Sequence, residues 1–387
     1  MAGARWKDEA MSSQDSEDLL RMLRDSAADY VNRSDMARDV RAWRKKPEGY
    51  DPARWNEMAQ LGWAGVRAPE SCGGMGLGVE ECVALLGETG RGIGPEPLAA
   101  VGVLATRTLV NGEGAQNADL VSSLAAGGRV IAVAWQEKAG ALHAGECDTL
   151  AAPAGQGWRL NGAKDFVHGA AQADLLIVSA RAPEGVGLFA VQPGDAGVKI
   201  ETRYFTDGTT CHRIILDNVE AQSDFCVAAP GKGEQALDAA LDEARIAASA
   251  EMFGLSQRAL DMTLDYLRQR KQFGKAIGSF QALQHRAVDL YVTVQMMRAA
   301  IDRAARAFEG ADARSRALIA SACKARCSDG ALQIVKEAIQ MHGAIGYTDE
   351  HDIGLFVRRA LKLSAWLGNG AQHRKRYAAL SPALDQV

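Results

Sequence analysis

The hydrophobic period of this chain changes twice, and that constrains its fold more than any other feature. From Glu17 to about Gly128 apolar residues recur at helical spacing, with Leu19, Leu20, Met22 and Leu23 opening one stripe and Val83, Leu85 and Leu86 carrying another. Between Arg129 and Val219 the pattern becomes short apolar and β-branched runs separated by glycine, asparagine and aspartate, which is how an antiparallel sheet is written. Val130 to Trp135, Leu175 to Val178, Gly187 to Gln192, Val198 to Thr202 and Ile214 to Leu216 are the clearest strands. After the Pro230-Gly231 break, helical spacing resumes in Leu237, Leu241, Ala244, Ala247 and Ala248. Two further long helices follow, roughly from Phe280 to Phe308 and from Arg314 to Met341, with Gly343 marking the end of the last. The expectation is an α+β chain: an N-terminal helical domain over 1–128, a central antiparallel β domain over 129–228, and a C-terminal four-helix bundle over 229–387.

This order contains no βαβ alternation and no Rossmann fingerprint, which argues against a nicotinamide enzyme. The net charge of -4, with Lys and Arg dispersed, offers no field for a nucleic acid. No apolar run approaches the roughly 20 residues needed to cross a bilayer. Met1 to Asp18 lacks an apolar h-region and reads as a frayed leader, so the expected location is the cytoplasm. The 7 cysteines are irregularly placed and expected to be reduced. Cys323 and Cys327 stand one helical turn apart, but no second Cys or His pair completes a zinc site, and no metal is expected.

Four stretches are more specific. The first is Leu61-Gly62-Trp63 followed by Pro69-Glu70 and Gly73-Gly74-Met75-Gly76; its glycine spacing is wrong for a phosphate loop, and it reads as a compact loop. The second is Arg268-Gln269-Arg270-Lys271-Gln272-Phe273-Gly274-Lys275, continuing to Gly278-Ser279-Phe280-Gln281 and Gln284. The third runs from Gln340-Met341-His342-Gly343-Ala344-Ile345-Gly346-Tyr347 to Arg358-Arg359-Ala360, and the fourth is Asn161-Gly162-Ala163-Lys164 with Phe166-Val167. In this order the chain resembles the acyl-CoA dehydrogenase family over nearly its whole length.

The resemblance implies FAD as cofactor, an acyl-CoA substrate, an electron-transferring flavoprotein as acceptor, and a homo- or hetero-oligomer, dimer or tetramer. A dinucleotide lying across a helical bundle needs fixed donors for its pyrophosphate, and glycine wherever backbone approaches closely. Arg270 would meet the first need. Gln272 and Phe273 would flank the adenosine half, Gln281 would join them, and Gln340, Gly343 and Gly346 would form an opposing wall contributed by a neighbouring subunit. Phe166 and His168 stand where the family's flavin-facing sheet usually carries tryptophan and threonine, so His168 replaces a small hydroxyl near the flavin ring.

The family's reaction removes the proton next to a thioester carbonyl with a positioned carboxylate while the neighbouring carbon gives hydride to the flavin. In many members that carboxylate immediately precedes a glycine after the arginine-rich helix start. Here that place reads Ser364-Ala365-Trp366-Leu367-Gly368-Asn369, and Leu367 can accept no proton, although its backbone N–H could still serve the thioester oxygen. Other members carry the glutamate on the first bundle helix directly before an arginine, and here Leu241-Asp242-Glu243-Ala244-Arg245 puts Ala244 there. Glu243 is the candidate base by elimination, yet one residue on a helix is a rotation of about 100°, which turns it away from the direction Ala244 faces. A solvated pairing with Arg245 or a lysine is its bland reading, and Glu251 reads as a structural or interface acid with a basic partner. Beyond Gly368 the family shows threonine or serine and then a flavin-touching glutamine, where this chain has Asn369, Gly370, Ala371 and Gln372.

Three functional readings follow: a dehydrogenase with an atypical base, a subunit that completes a flavin site while a related partner supplies the glutamate, or a flavin monooxygenase or oxidase on the same scaffold. A purely structural protein would require Arg270, Gln272, Gln281 and Gln340 to be coincidental.

Overall fold

A computed structural model describes residues 13–381. The residues 1–12 of the expected leader lie outside that range, and its remainder is already helix, since α1 spans Ser13–Arg33. Helices α2 (Met36–Trp43) and α3 (Pro52–Gln60) follow, each started by an aspartate, Asp35 and Asp51, whose side chain accepts a first-turn backbone N–H. The glycine-rich stretch is a compact loop around a 3-10 turn at Glu70–Cys72. After α4 (Val79–Gly92), Pro95-Glu96-Pro97 leads into a buried π-helical stretch, Ala99–Ala105, continuous with α5 (Thr106–Asn111), and α6 (Asn117–Ala125) ends the helical region.

The eight strands β1 (Ile131–Ala134), β2 (Leu150–Ala154), β3 (Gly157–Val167), β4 (Leu175–Ala182), β5 (Gly185–Val191), β6 (Val198–Tyr204), β7 (Thr210–Gln222) and β8 (Cys226–Ala228) form one sheet, ordered β6-β7-β3-β2-β4-β5-β8. The sheet is mainly antiparallel, as expected, with two parallel contacts: β1 runs parallel to β4 along Ile131–Ala134, and β2 meets β4 in parallel at Leu150. β3 carries a register shift between Lys164 and Val167, and Phe166 sits inside it at φ 58°. That bulge re-aims the end of the strand and sends His168 toward the C-terminal helices.

The last region begins with α7 (Gly233–Gln269), whose end opens into a two-stranded hairpin, β9 (Lys271–Gln272) and β10 (Lys275–Ala276). Phe273 and Gly274 form its tip with φ of 54° and 80°, the two positive angles of a type I′ turn. Next come α8 (Gln281–Phe308), α9 (Ala313–His342), α10 (Ile353–Ala365) and α11 (Gly370–Leu380). A single buried cluster joins the N-terminal helices to this bundle, while strands β1 to β5 and β7 of the sheet hold a second. Among the described residues no helix is long and apolar enough to cross a membrane, and no group of His, Cys, Asp and Glu could hold a metal.

Candidate active site and flavin-binding arm

The expected ligand residues fall into two separate places. Arg270, Gln272 and Phe273 project from the end of α7 on the hairpin, where Phe273 is 91% exposed. Arg270 caps α7 through its own N–H, 2.8 Å from the Tyr266 carbonyl, and its guanidinium has no partner among the described residues. The exposed Gln281 opens α8, and Gln340 lies exposed in the last turn of α9. Gly343 ends α9 at φ 65° with open space around it, whereas Gly346 is needed for contact, since a Cβ there would lie 3.1 Å from the Ile339 carbonyl. The ends of α7 and α9 are tied together by the stacked rings of Tyr266 and His342, 4.6 Å apart. These residues therefore form one arm with exposed polar side chains; Gln272 donates to the Lys271 carbonyl at 2.8 Å, whereas Arg270, Gln281 and Gln340 make no side-chain hydrogen bond among the described residues.

The second place surrounds Leu367. It is 1% exposed and held at φ 60°, a left-handed conformation that a non-glycine residue adopts only when its surroundings impose it. Those surroundings grip its carbonyl: His373 Nε2 lies 2.8 Å from it and Arg245 Nε 3.3 Å. Burial, with Arg245 and Lys324 nearby, pushes the His373 pKa down to about 2, so His373 is a neutral donor. Arg245 also donates to the Leu142 carbonyl, linking the loop after β1 to the loop before α11.

The side chain next to Leu367 meets the residue expected near the flavin ring. The Trp366 indole and the His168 imidazole stand 4.8 Å apart at 32°, and the Phe205 ring lies 5.1 Å from His168 at 35°. Burial, then Lys362 and Arg359, hold the His168 pKa well below the usual histidine range, so its ring is uncharged, and its Nε2 is buried without a partner. Phe166 is half-buried in the bulge before it.

Beyond this stack lies a narrow cleft lined by Tyr50, Glu96, Glu251, Arg359 and Lys362. Its charges are mostly matched. Arg359 bridges Asp207 at 3.3 Å and Glu251 at 3.2 Å, which gives Glu251 the structural pairing with a base that its sequence context suggested. Burial opposes ionisation of Asp207, but Lys362, Arg359 and the Thr209 donors outweigh it and hold that carboxyl below its ordinary range. Burial likewise pushes Lys362 down to about 8. Glu96 stands apart: 4% exposed, with neither oxygen hydrogen-bonded, it is pushed up to about 7 by burial. Sequence reading passed over it, and the signal was its position between Pro95 and Pro97, which fix the backbone on either side.

Glu243 does not face this cleft. Buried at 4% exposure, it is 2.5 Å from Arg67 Nε and 3.0 Å from Arg107 Nε. Arg245, the pairing suggested by sequence, binds Asp242 instead at 2.6 Å, as does Arg376. Ala244 is fully buried one residue on.

Known proteins match this chain in sequence and fold. The N-terminal, middle and C-terminal domain models of acyl-CoA dehydrogenase match residues 17–128, 132–219 and 231–380. A 3-(aryl)acrylate reductase of Clostridium sporogenes is 28% identical over 81% of this chain and 85% of its own length. The mitochondrial isovaleryl-CoA dehydrogenase of Arabidopsis thaliana is 29% identical over 79% of this chain and 77% of its own. Among solved structures, a variant of the Tcur3481-Tcur3483 steroid ACAD superposes with a TM-score of 0.85 at 30% identity, covering 94% of this chain and 98% of that one. Butyryl-CoA dehydrogenase of Megasphaera elsdenii shares the fold, with a TM-score of 0.86 at 22% identity over 98% and 100%. The chain belongs to the acyl-CoA dehydrogenase family of oxidoreductases.

Proposed function

We propose that this chain takes part in the FAD-dependent α,β-dehydrogenation of an acyl-CoA thioester as the subunit that completes a flavin site while a related, base-bearing partner supplies the glutamate. One observation carries the reading: the family's base position holds Leu367, in a seat that still fixes its backbone, and Glu243 is engaged by two arginines elsewhere. Bound FAD supplies the hydride acceptor. This chain's part is to offer the Arg270 guanidinium to the pyrophosphate, Gln272, Phe273 and Gln281 to the adenosine half, and the Gln340-Gly343-Gly346 turn as a wall. An exposed apolar stripe on α8, Val288, Tyr291, Val292 and Met296, supports association with another chain. So does the likeness to a steroid ACAD named for two chains. An electron-transferring flavoprotein is the acceptor in this reading.

The test is anaerobic addition of acyl-CoA to the chain alone and to its mixture with a related base-bearing chain. Flavin bleaching in the mixture alone supports the proposal, and bleaching by the lone chain overturns it. A second reading has one observation in its favour: Glu96, unpaired and near neutrality beside the cleft, would be the atypical base of a self-sufficient dehydrogenase. Loss of lone-chain bleaching in Glu96→Gln would establish it.

A further inference from the structure

The residues that would surround a flavin ring in this chain's own cleft do not fit one. Aromatic pairs in contact have centroids about 4.5 to 7 Å apart. A third ring between two others needs two contact layers of about 3.5 Å each, roughly 7 Å in total. His168 stands where the resemblance expects a small hydroxyl near the flavin ring and Trp366 stands next to the base position, and at 4.8 Å apart the two leave no such layer between them. His168 also contacts the Phe205 ring at 5.1 Å, and the Lys362 Nζ lies 5.3 Å from the Phe205 centroid, so the His168–Trp366 pair has aromatic and cationic support.

Two further features close the same place. Gln372, in the stretch beyond Gly368 where the chain departs from the family pattern, is engaged at both ends of its amide: Oε1 accepts the Asn369 N–H at 2.9 Å and Nε2 donates to the Gly140 carbonyl at 3.0 Å. Leu142 packs over the Leu367-Gly368 turn so closely that a Cβ on Gly368 would lie 2.4 Å from its Cδ2, and Arg245 clamps the Leu142 and Leu367 carbonyls together. The arm contrasts with this, since Arg270, Gln281 and Gln340 are exposed and make no side-chain hydrogen bond among the described residues.

We propose that His168 and Trp366 form a built-in plug that closes this chain's own flavin-ring slot, so that the chain lends its arm to a partner's flavin and holds none of its own. This rests on the proposed subunit role and deepens it, because a second copy of the chain could not replace the base-bearing partner even as a flavin carrier.

Equilibrium dialysis of the purified chain against FAD tests the plug. The wild-type chain should bind well under one flavin per chain. The variant His168→Ser, which restores a small hydroxyl, and the double variant His168→Ser, Trp366→Ala should gain affinity at least tenfold, with circular dichroism confirming the fold. Should the double variant unfold, the single one decides. A wild-type chain carrying one FAD per chain overturns the plug, as does a folded variant that binds no better than wild type. The two proposals fail differently: wild-type chain that holds FAD but is not bleached by acyl-CoA sinks the plug alone, whereas bleaching sinks both.

Discussion

The Nζ of Lys324, wholly buried on α9, lies 2.9 Å from the carbonyl oxygen of Gly368 and so grips the turn that carries Leu367 from beneath. The same amine, its pKa pushed down to about 7 by burial, reaches the carbonyls of Leu363 at 3.0 Å and Ser364 at 3.3 Å and so closes the C-terminal end of α10. Lys324→Met would keep the apolar stem and leave the buried Leu363 and Gly368 carbonyls without this donor, Ser364 keeping only its 3.5 Å contact with Ser328 Oγ. At roughly 1 to 3 kcal/mol for such a group, partly relieved by relaxation, the expected loss is about 3 to 5 kcal/mol. Chemical denaturation measures it, and a loss below about 1 kcal/mol would show that Arg245 and His373 hold the turn unaided.

Glu243, Arg67 and Arg107 form an ion cluster in which two members are almost fully buried. Removing one partner of a buried pair strands the other charge, typically at about 3 to 5 kcal/mol, whereas removing both is far milder. Glu243→Ala and Arg67→Ala should each destabilise on that scale, and the double variant should be less destabilised than the sum. Additive losses would mean the two side chains do not interact in solution. If Glu243→Gln instead kept the fold intact and abolished bleaching of a competent lone chain, its role would be catalytic.

The two switches of hydrophobic period were legible because periodicity is local, and the arm was legible because its residues lie in two contiguous motifs. β2 was not: Leu150-Ala151-Ala152-Pro153-Ala154 has no β-branched or aromatic residue, and it becomes a strand only by pairing with β3. The rotation of Glu243 away from Ala244 followed from helix geometry, but its partners Arg67, in a turn, and Arg107, on α5, come from segments that no spacing rule connects. Likewise the replacement at His168 was readable, while its stacking on Trp366 required the β3 bulge and the end of α10 to meet. Glu96 was marked in the sequence only by its flanking prolines, because the lack of a partner for its carboxylate is a property of the folded surroundings.

Glu96 also sets a pH dependence. Its ordinary pKa of 4.5 applies to the unfolded chain, and burial raises it to about 7 in the fold. Below the lower value both states hold the proton and there is no penalty; as pH rises between the two values the unfolded chain releases its proton first, and stability falls. Above the folded value the deficit is constant, and the difference, about 7 minus 4.5, corresponds to about 3 kcal/mol. Glu96→Gln, an uncharged near-isostere of the protonated acid, should therefore melt above wild type at about pH 8 and alongside it near pH 4. A gap between their melting temperatures that does not change with pH would mean the carboxyl is ionised throughout, with a donor the structure does not reveal.

Arg270 separates the role of the arm from that of the scaffold. Its guanidinium is exposed and touches no acid, so Arg270→Ala should change the stability of the lone chain by no more than about 0.5 kcal/mol. In the mixed complex the same change removes a forked donor from a pyrophosphate; charge-assisted bonds contribute roughly 1.5 to 3 kcal/mol, so the flavin dissociation constant should rise about 10- to 100-fold. Arg270→Lys should recover only part of this, because an ammonium restores the charge without the planar fork. Flavin retained by the complex across a dilution series gives all three constants. If both variants bind flavin like wild type while Arg270→Ala loosens the lone chain, the residue is only a cation at the end of α7, and the arm is not what this chain lends to its partner.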